Sequence, residues 1–167
     1  RYLLRIEAST RELFEQIHPV DSNHDFDHRI ECLHRIKRAG ITCGTGVMIG
    51  LPGQTLNHLA QDLLFMKKFP IEMCGMGPYL EQHDTPLYAR KDELWDKQTR
   101  FDVSLKMIAI LRIIMPHINI AAATAMETIA PEGRRMAIKA GANVVMPNIT
   151  PSCYKKNYSL YDNKAGF

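Results

Sequence analysis

A parallel α/β fold is what this sequence predicts, and three observations predict it. Short β-rich runs alternate with longer stretches whose apolar residues recur at helical spacing. Glycine or proline closes each helical stretch, at Gly40, Pro70, Pro116 and Gly141. The tally is five strands separated by four helical connections within 167 residues.

Residues 3–7 form the first strand, and residues 27–39 a helix with Ile30, Leu33 and Ile36 on one face. Residues 42–50 form the second strand, which leaves through Gly50-Leu51-Pro52-Gly53, a tight turn. Thr55 caps the next helix, whose buried stripe is Leu56, Leu59, Leu63 and Met66. Residues 73–79 are the third strand, followed by a polar connection over 81–100 and a helix over 102–115. Residues 118–125, rich in small side chains, are the fourth strand, residues 132–140 a short helix, and residues 143–147 the fifth strand. A polar and aromatic tail completes the chain, so residues 1–150 are expected to form the folded unit and 151–167 an appended helix or cover.

Two architectures accommodate this alternation. A Rossmann-type open sheet would carry GxGxxG after its first strand, and that motif is absent. A complete (β/α)8 barrel takes about 250 residues, so five strands in 167 residues match strands four to eight of one. Periodicity alone does not choose between them.

Composition narrows the function classes. With 46% hydrophobic and 23% charged residues the chain is an ordinary soluble domain, expected in the cytoplasm. A net charge of +3, with lysines and arginines scattered, gives no footing for nucleic acid, and no apolar run is long enough for a membrane span. Cys32, Cys43, Cys74 and Cys153 include no pair at CxxC spacing and are expected to be free, mostly buried thiols. The histidines form no i, i+4 ligand pair on a helix, so no metal site is expected in this chain. The opening Arg1-Tyr2-Leu3-Leu4 reads as though it starts within a strand, which suggests a fragment.

Polar side chains at the carboxyl ends of barrel strands form active sites. Period-two alternation puts Leu4 and Ile6 toward the helices and Arg5 and Glu7 together on the opposite, inward face. Two charges inside one strand need partners. They are either a structural salt bridge or the groups that hold a polar ligand. The run Ala121-Ala122-Ala123-Thr124-Ala125 either leaves room for a substrate or lets a helix pack closely. Tyr154, Tyr158 and Tyr161, at i, i+4 and i+7, form one helix face, which either packs on the barrel or covers its mouth.

Taken together, the segments resemble the biotin-synthase-like branch of the radical S-adenosylmethionine (SAM) superfamily, most of all the HydE-type FeFe-hydrogenase maturases. The resemblance is carried, in family order, by Arg1-Tyr2-Leu3-Leu4-Arg5-Ile6-Glu7, Leu13-Phe14-x-x-Ile17-His18-Pro19 (similar to the family's loop after that strand), Gly50-Leu51-Pro52-Gly53-Gln54-Thr55, Asp84-Thr85-Pro86-Leu87, Thr124-Ala125-Met126 and Gly141-Ala142-Asn143-Val144-Val145-Met146-Pro147-Asn148. The fold it implies is the C-terminal part, about strands four to eight, of a radical SAM (β/α)8 TIM-type barrel.

By that resemblance Arg5, Glu7, Arg29 and Ile49 would contact SAM, with Arg29 at its carboxylate and Ile49 against its adenine. Thr124, Met146, Tyr158 and Tyr161 would line the substrate position. Ala123 stands where relatives carry a threonine, and Pro78 to His83 has fewer prolines than theirs. The cofactors implied are SAM and a 4Fe-4S cluster held by a CxxxCxxC loop. These residues contain no such motif, so its place would be upstream of Arg1, and this chain alone is expected to be inactive. The chemistry implied is reductive cleavage of SAM to a 5′-deoxyadenosyl radical, used on a small-molecule or iron-complex substrate during assembly of the hydrogenase active site, in partnership with other hydrogenase maturases. Biotin synthase and methylornithine synthase chemistry are the nearest alternatives, and a non-catalytic partial barrel is the alternative of another class.

Overall fold

The structure is a computed structural model and describes residues 1–147 and 149–155. In chain order its elements are β1 (Tyr2–Leu3), α1 (Arg11–Ile17), α2 (Phe26–Arg38), β2 (Cys43–Ile49), α3 (Leu56–Lys68), β3 (Met73–Pro78), a 3-10 helix (Pro86–Glu93), α4 (Lys97–Ile114), β4 (Asn119–Ala122), α5 (Thr124–Ile129), α6 (Gly133–Ala140) and α7 (Ser152–Lys155). The four strands form one parallel sheet in the order β1-β2-β3-β4. Sequential parallel strands joined by helices match one arc of a barrel wall, the fold the resemblance implies. β1 lies at the sheet's edge, with Tyr2 and Leu3 exposed.

Local chemistry sets the helix starts. Asp25 accepts from the backbone N–H of His28 at 2.7 Å and caps α2. Thr55 accepts from His58 N while His58 Nδ1 accepts from Thr55 N, a reciprocal capping box for α3. The main core lies between sheet and helices, where Leu33, Leu59, Met66, Phe101, Ile108 and Leu111 meet Ile6, Val47, Ile49, Met76 and Ile120. A smaller cluster of Ala8, Leu13, Leu51 and Tyr79 closes the carboxyl ends of the strands. Cys43 and Cys74 are buried and all four cysteines are free. Burial pushes the Cys74 thiol up to about 12. Among the described residues no helix is long and apolar enough to cross a membrane.

Several elements differ from the sequence reading. The expected strand over 3–7 is a ladder only at Tyr2 and Leu3, and pairing resumes at the single bridge Glu7–Val47. The expected strand over 118–125 stops at Ala122, because Met126 is drawn fully into the core and winds α5 from Thr124. The fifth strand reduces to one bridge between Val144 and Ala121. There the Asn143 side chain accepts from Ile120 N at 2.8 Å, taking a place that a backbone carbonyl would fill. α1 occupies a stretch expected to be a loop, and burial of Leu13 and Phe14 holds it. α4 begins at Lys97 rather than 102, because Asp96 caps it through Thr99 N at 2.9 Å.

Two buried charges tie loops to this frame. Asp62 of α3, 1% exposed, accepts from both N and Oγ of Ser9 at 2.7 and 2.6 Å, and its Oδ2 is buried without a partner. Arg100 of α4, 2% exposed, donates through Nη1 to Tyr79 O and to Glu81 Oε2 at 2.9 Å. Its stem lies against Gly50, whose φ is +79° and where a Cβ would come 2.3 Å from Arg100 Cγ. Arg100 therefore locks the turn after β2 and the chain after β3 against each other.

Burial raises the Asp62 carboxyl from 3.8 to about 6, against the opposing Ser9 hydrogen bonds. A folded value above the unfolded one means the stabilising contribution is full below 3.8 and is lost as pH rises through about 6. Asp62→Asn should therefore raise stability at pH 8 by up to about 2–3 kcal/mol and leave it nearly unchanged at pH 4. Thermal melts at the two pH values check this, and equal shifts at both would refute it. Arg100→Ala strands the Tyr79 carbonyl, leaves Glu81 only its longer pairing with Lys97, and should cost about 3 kcal/mol in urea unfolding, whereas Glu81→Gln, which keeps an acceptor, should cost about 1 kcal/mol.

Candidate functional site

At the carboxyl ends of the strands lies a groove of about 440 Å³. β2 contributes Met48, the end of β3 and the following chain contribute Gly77 to Leu80, and the start of α5 contributes Ala123, Thr124 and Ala125. Arg5 lies at its inner wall. This is the position in which barrel enzymes place their chemistry.

The Arg5 side chain crosses the sheet face. Its Nε donates to Glu7 Oε1 at 2.7 Å, its Nη2 to Val47 O at 2.9 Å and its Nη1 to Gly75 O at 2.7 Å. Glycines make this crossing possible. A Cβ at Gly46 would sit 1.9 Å from Gly75 O and 2.9 Å from Arg5 Nη1, and one at Gly75 would sit 3.0 Å from the same nitrogen. Gly46 and Gly75 thus have a steric reason.

Glu7 has a φ of +63°, in the left-handed region that a residue with a Cβ seldom occupies. Its backbone is held by Glu7 N donating to Gly46 O at 2.9 Å and by Met48 N donating to Glu7 O at 3.0 Å. One carboxylate oxygen faces Arg5. The other, Oε2, is buried with no hydrogen-bond partner. A carboxylate oxygen shielded from water and left unpaired is a costly arrangement in isolation. Glu7 lies beside Arg5 and is not itself part of the groove lining.

The remaining expected site residues divide. Thr124 lines the groove, from the first turn of α5 rather than from a strand. Arg29 lies outside the groove lining, braces the site from behind by donating to Arg5 O at 2.6 Å, and sits 5.6 Å over the Phe14 ring. Ile49 is fully buried in the core. Along β2 the side chains of Cys43, Val47 and Ile49 enter that core, so Met48 is the residue of this strand that reaches the groove. Met146 is 52% exposed and does not line the groove. Tyr158 and Tyr161 lie outside the described residues.

Sequence reasoning missed Met48, Tyr79 and Arg100. The first was legible from strand alternation. Arg100 was legible as the one charge on the buried stripe of α4, beside Phe101, Ser104, Met107, Ile108 and Leu111. Tyr79 gave no signal beyond ending its strand. Among the described residues no three His, Cys, Asp or Glu side chains form a group that could hold a metal ion.

Comparison with known proteins agrees with this geometry. Residues 56–164 match the Biotin and Thiamin Synthesis associated domain. The chain is 44% identical over 164 residues to the FeFe hydrogenase maturase subunit HydE of Thermotoga maritima, covering 98% of this chain and 44% of that protein. It is 28% identical to the biotin synthase of Synechococcus sp. strain CC9902, covering 78% of this chain and 38% of that one. The crystal structure of methylornithine synthase (PylB) superposes with a TM-score of 0.69 at 26% identity, covering 86% of this chain and 39% of that one. The chain therefore spans less than half the length of these relatives. With a parallel arc of strands, a groove at their carboxyl ends and these likenesses, the chain belongs to the Biotin and Thiamin Synthesis associated family, in the biotin-synthase-like branch of the radical SAM proteins.

Proposed function

We propose that this chain is the SAM-holding part of a cytoplasmic radical SAM enzyme of the HydE kind, acting in assembly of the FeFe-hydrogenase active site. The observation that carries the reading is the buried, unpartnered Oε2 of Glu7, beside an Arg5 already fixed in place at the groove wall. The 44% identity with a HydE protein supports the substrate class. SAM and a 4Fe-4S cluster would supply the one-electron cleavage chemistry. The role of this chain's residues is binding, orientation and exclusion of water.

Glu7 accepts a donor from the bound ligand at Oε2. Arg5 uses three of its five N–H donors within the protein, which pins the guanidinium and leaves the others for an anionic group. Thr124, Ala123 and Ala125 keep the far wall of the groove low. Arg29 holds the backbone from which Arg5 and Glu7 project.

Two outcomes are expected. In the full-length gene product, Glu7→Gln should weaken SAM binding by about 1.5 kcal/mol with little loss of melting temperature, because the amide oxygen still accepts from Arg5. Arg5→Ala should lower affinity further and also destabilise the fold, since it strips acceptors Glu7, Val47 and Gly75 of their donor. Calorimetric titration beside thermal melts separates the effects, and undiminished SAM affinity in Glu7→Gln removes the reading. The 167 residues by themselves, reconstituted with iron and sulfide, should neither bind a 4Fe-4S cluster nor form 5′-deoxyadenosine with SAM and dithionite, because their cysteines lack CxxxCxxC spacing. Stoichiometric iron with nucleoside product would contradict this.

A further inference from the structure

The register between β1 and β2 changes midway. Tyr2 pairs with Cys43 and Leu3 with Gly44, yet the next pair is Glu7 with Val47, so the β1 side carries one more residue than β2 over this interval. The surplus residue makes a bulge. Leu4 N donates to Gly44 O, and the next donation to the ladder, to Gly46 O, comes from Glu7 N instead of Ile6 N. The bulge thus removes Ile6 N and Leu4 O from backbone pairing in a region where Ile6 is fully buried.

One side chain satisfies both groups. Thr45, itself 0% exposed, accepts from Ile6 N at 3.1 Å and donates to Leu4 O at 2.8 Å through the same hydroxyl. A threonine hydroxyl is suited to this because it offers one donor and two acceptor lone pairs. A bulge without such a group would bury an unpaired donor and an unpaired acceptor, and both favour the regular register, in which Ile6 takes the place of Glu7. Glu7 then loses its φ of +63° and its place against Arg5 Nε. The chain beyond is tied down separately by Ser9 on Asp62 and by a tight turn from Ala8 N to Ile6 O at 2.8 Å.

We propose that Thr45 is a positioning residue for SAM binding, its hydroxyl maintaining the bulge that sets Glu7 against Arg5 and leaves its buried Oε2 without a protein partner. Thr45 touches no ligand in this scheme; it acts through Glu7. The inference rests on the reading of Glu7 as a SAM-binding group.

The test is SAM titration calorimetry with parallel thermal melts on the full-length gene product and its variants Thr45→Val, Thr45→Ser, Glu7→Gln and Thr45→Val/Glu7→Gln. Thr45→Val, nearly isosteric and without the hydroxyl, should weaken SAM binding about tenfold, and Thr45→Ser should restore it to within about twofold. Because Thr45 acts through Glu7, the double variant should bind no more weakly than Glu7→Gln alone, to within about twofold. A Thr45→Val protein that melts lower but binds SAM as tightly as the unmodified protein overturns the proposal. So does an additive double variant, which would mean that Thr45 acts independently of Glu7. If Glu7→Gln weakens binding while Thr45→Val does not, the Thr45 inference alone fails; if neither does, the site reading fails with it. Should Thr45→Val not fold, Thr45→Cys keeps the volume with a weaker donor and must then lower affinity several-fold. Unchanged affinity in that variant overturns the proposal equally.

Discussion

A guanidinium set into the wall of a parallel sheet must find acceptors within the wall itself, and Arg5 finds them by reaching across three strands. Its Nε stays with Glu7 on its own segment, while Nη2 reaches the β2 carbonyl of Val47 and Nη1 the β3 carbonyl of Gly75. Much of the local architecture follows from that one crossing. It demands glycine at 46 and 75. It holds one oxygen of Glu7 and so leaves the other free. It also requires the backbone carbonyl of Arg5 to be steadied from outside, which Arg29 does from the first turns of α2. A charge of this kind contributes little net stability, because desolvation offsets what pairing returns. Its value lies in fixing geometry at the groove.

Around that crossing the site is assembled by contacts that are distant in sequence. The chain after β3 reaches the groove because Arg100, on α4, holds Tyr79 and Glu81, and the same side chain fills the space beside Gly50. The far wall comes close because Gly77 lies against Ala123, where a Cβ on the glycine would approach to 2.8 Å. The small residues of the fourth strand and of α5 therefore serve both possibilities that their composition left open. Some admit close packing, and others leave the groove shallow.

What was legible in the sequence was whatever depends on neighbours along the chain. The cap and stripe of α3, the end of α2 at Gly40 and the strand at β2 follow from local patterns, and two charges in one strand marked Arg5 and Glu7. Illegible features depend on remote partners or on short elements. The bulge at Glu7 needs the Thr45 hydroxyl, some forty residues away, so period-two alternation continued through it undisturbed. α1 has seven residues and no side-chain cap, too little pattern to stand out. The alanine run before Thr124 suits strand and helix alike, and only the burial of Met126 decides. Ile49 carries only what the resemblance implies; its side chain lies in the core, and Met48 is the β2 residue that lines the groove.

The order β1-β2-β3-β4 repeats the order of the chain, so every lateral contact in the sheet joins segments adjacent in sequence. The seams are unequal in length: six residue pairs join β2 to β3, four join β3 to β4, and two join β1 to β2. Loop closure along such a chain is stepwise, and no step waits for a distant strand. The β2–β3 seam, with α4 packed across it, is the natural centre from which order spreads outward. Backbone amides there are expected to exchange only when the sheet opens as a whole, and those near β1 in local fluctuations. The Glu7 carboxylate thus sits on the shortest seam, braced by side chains because the ladder beside it is too short to hold it.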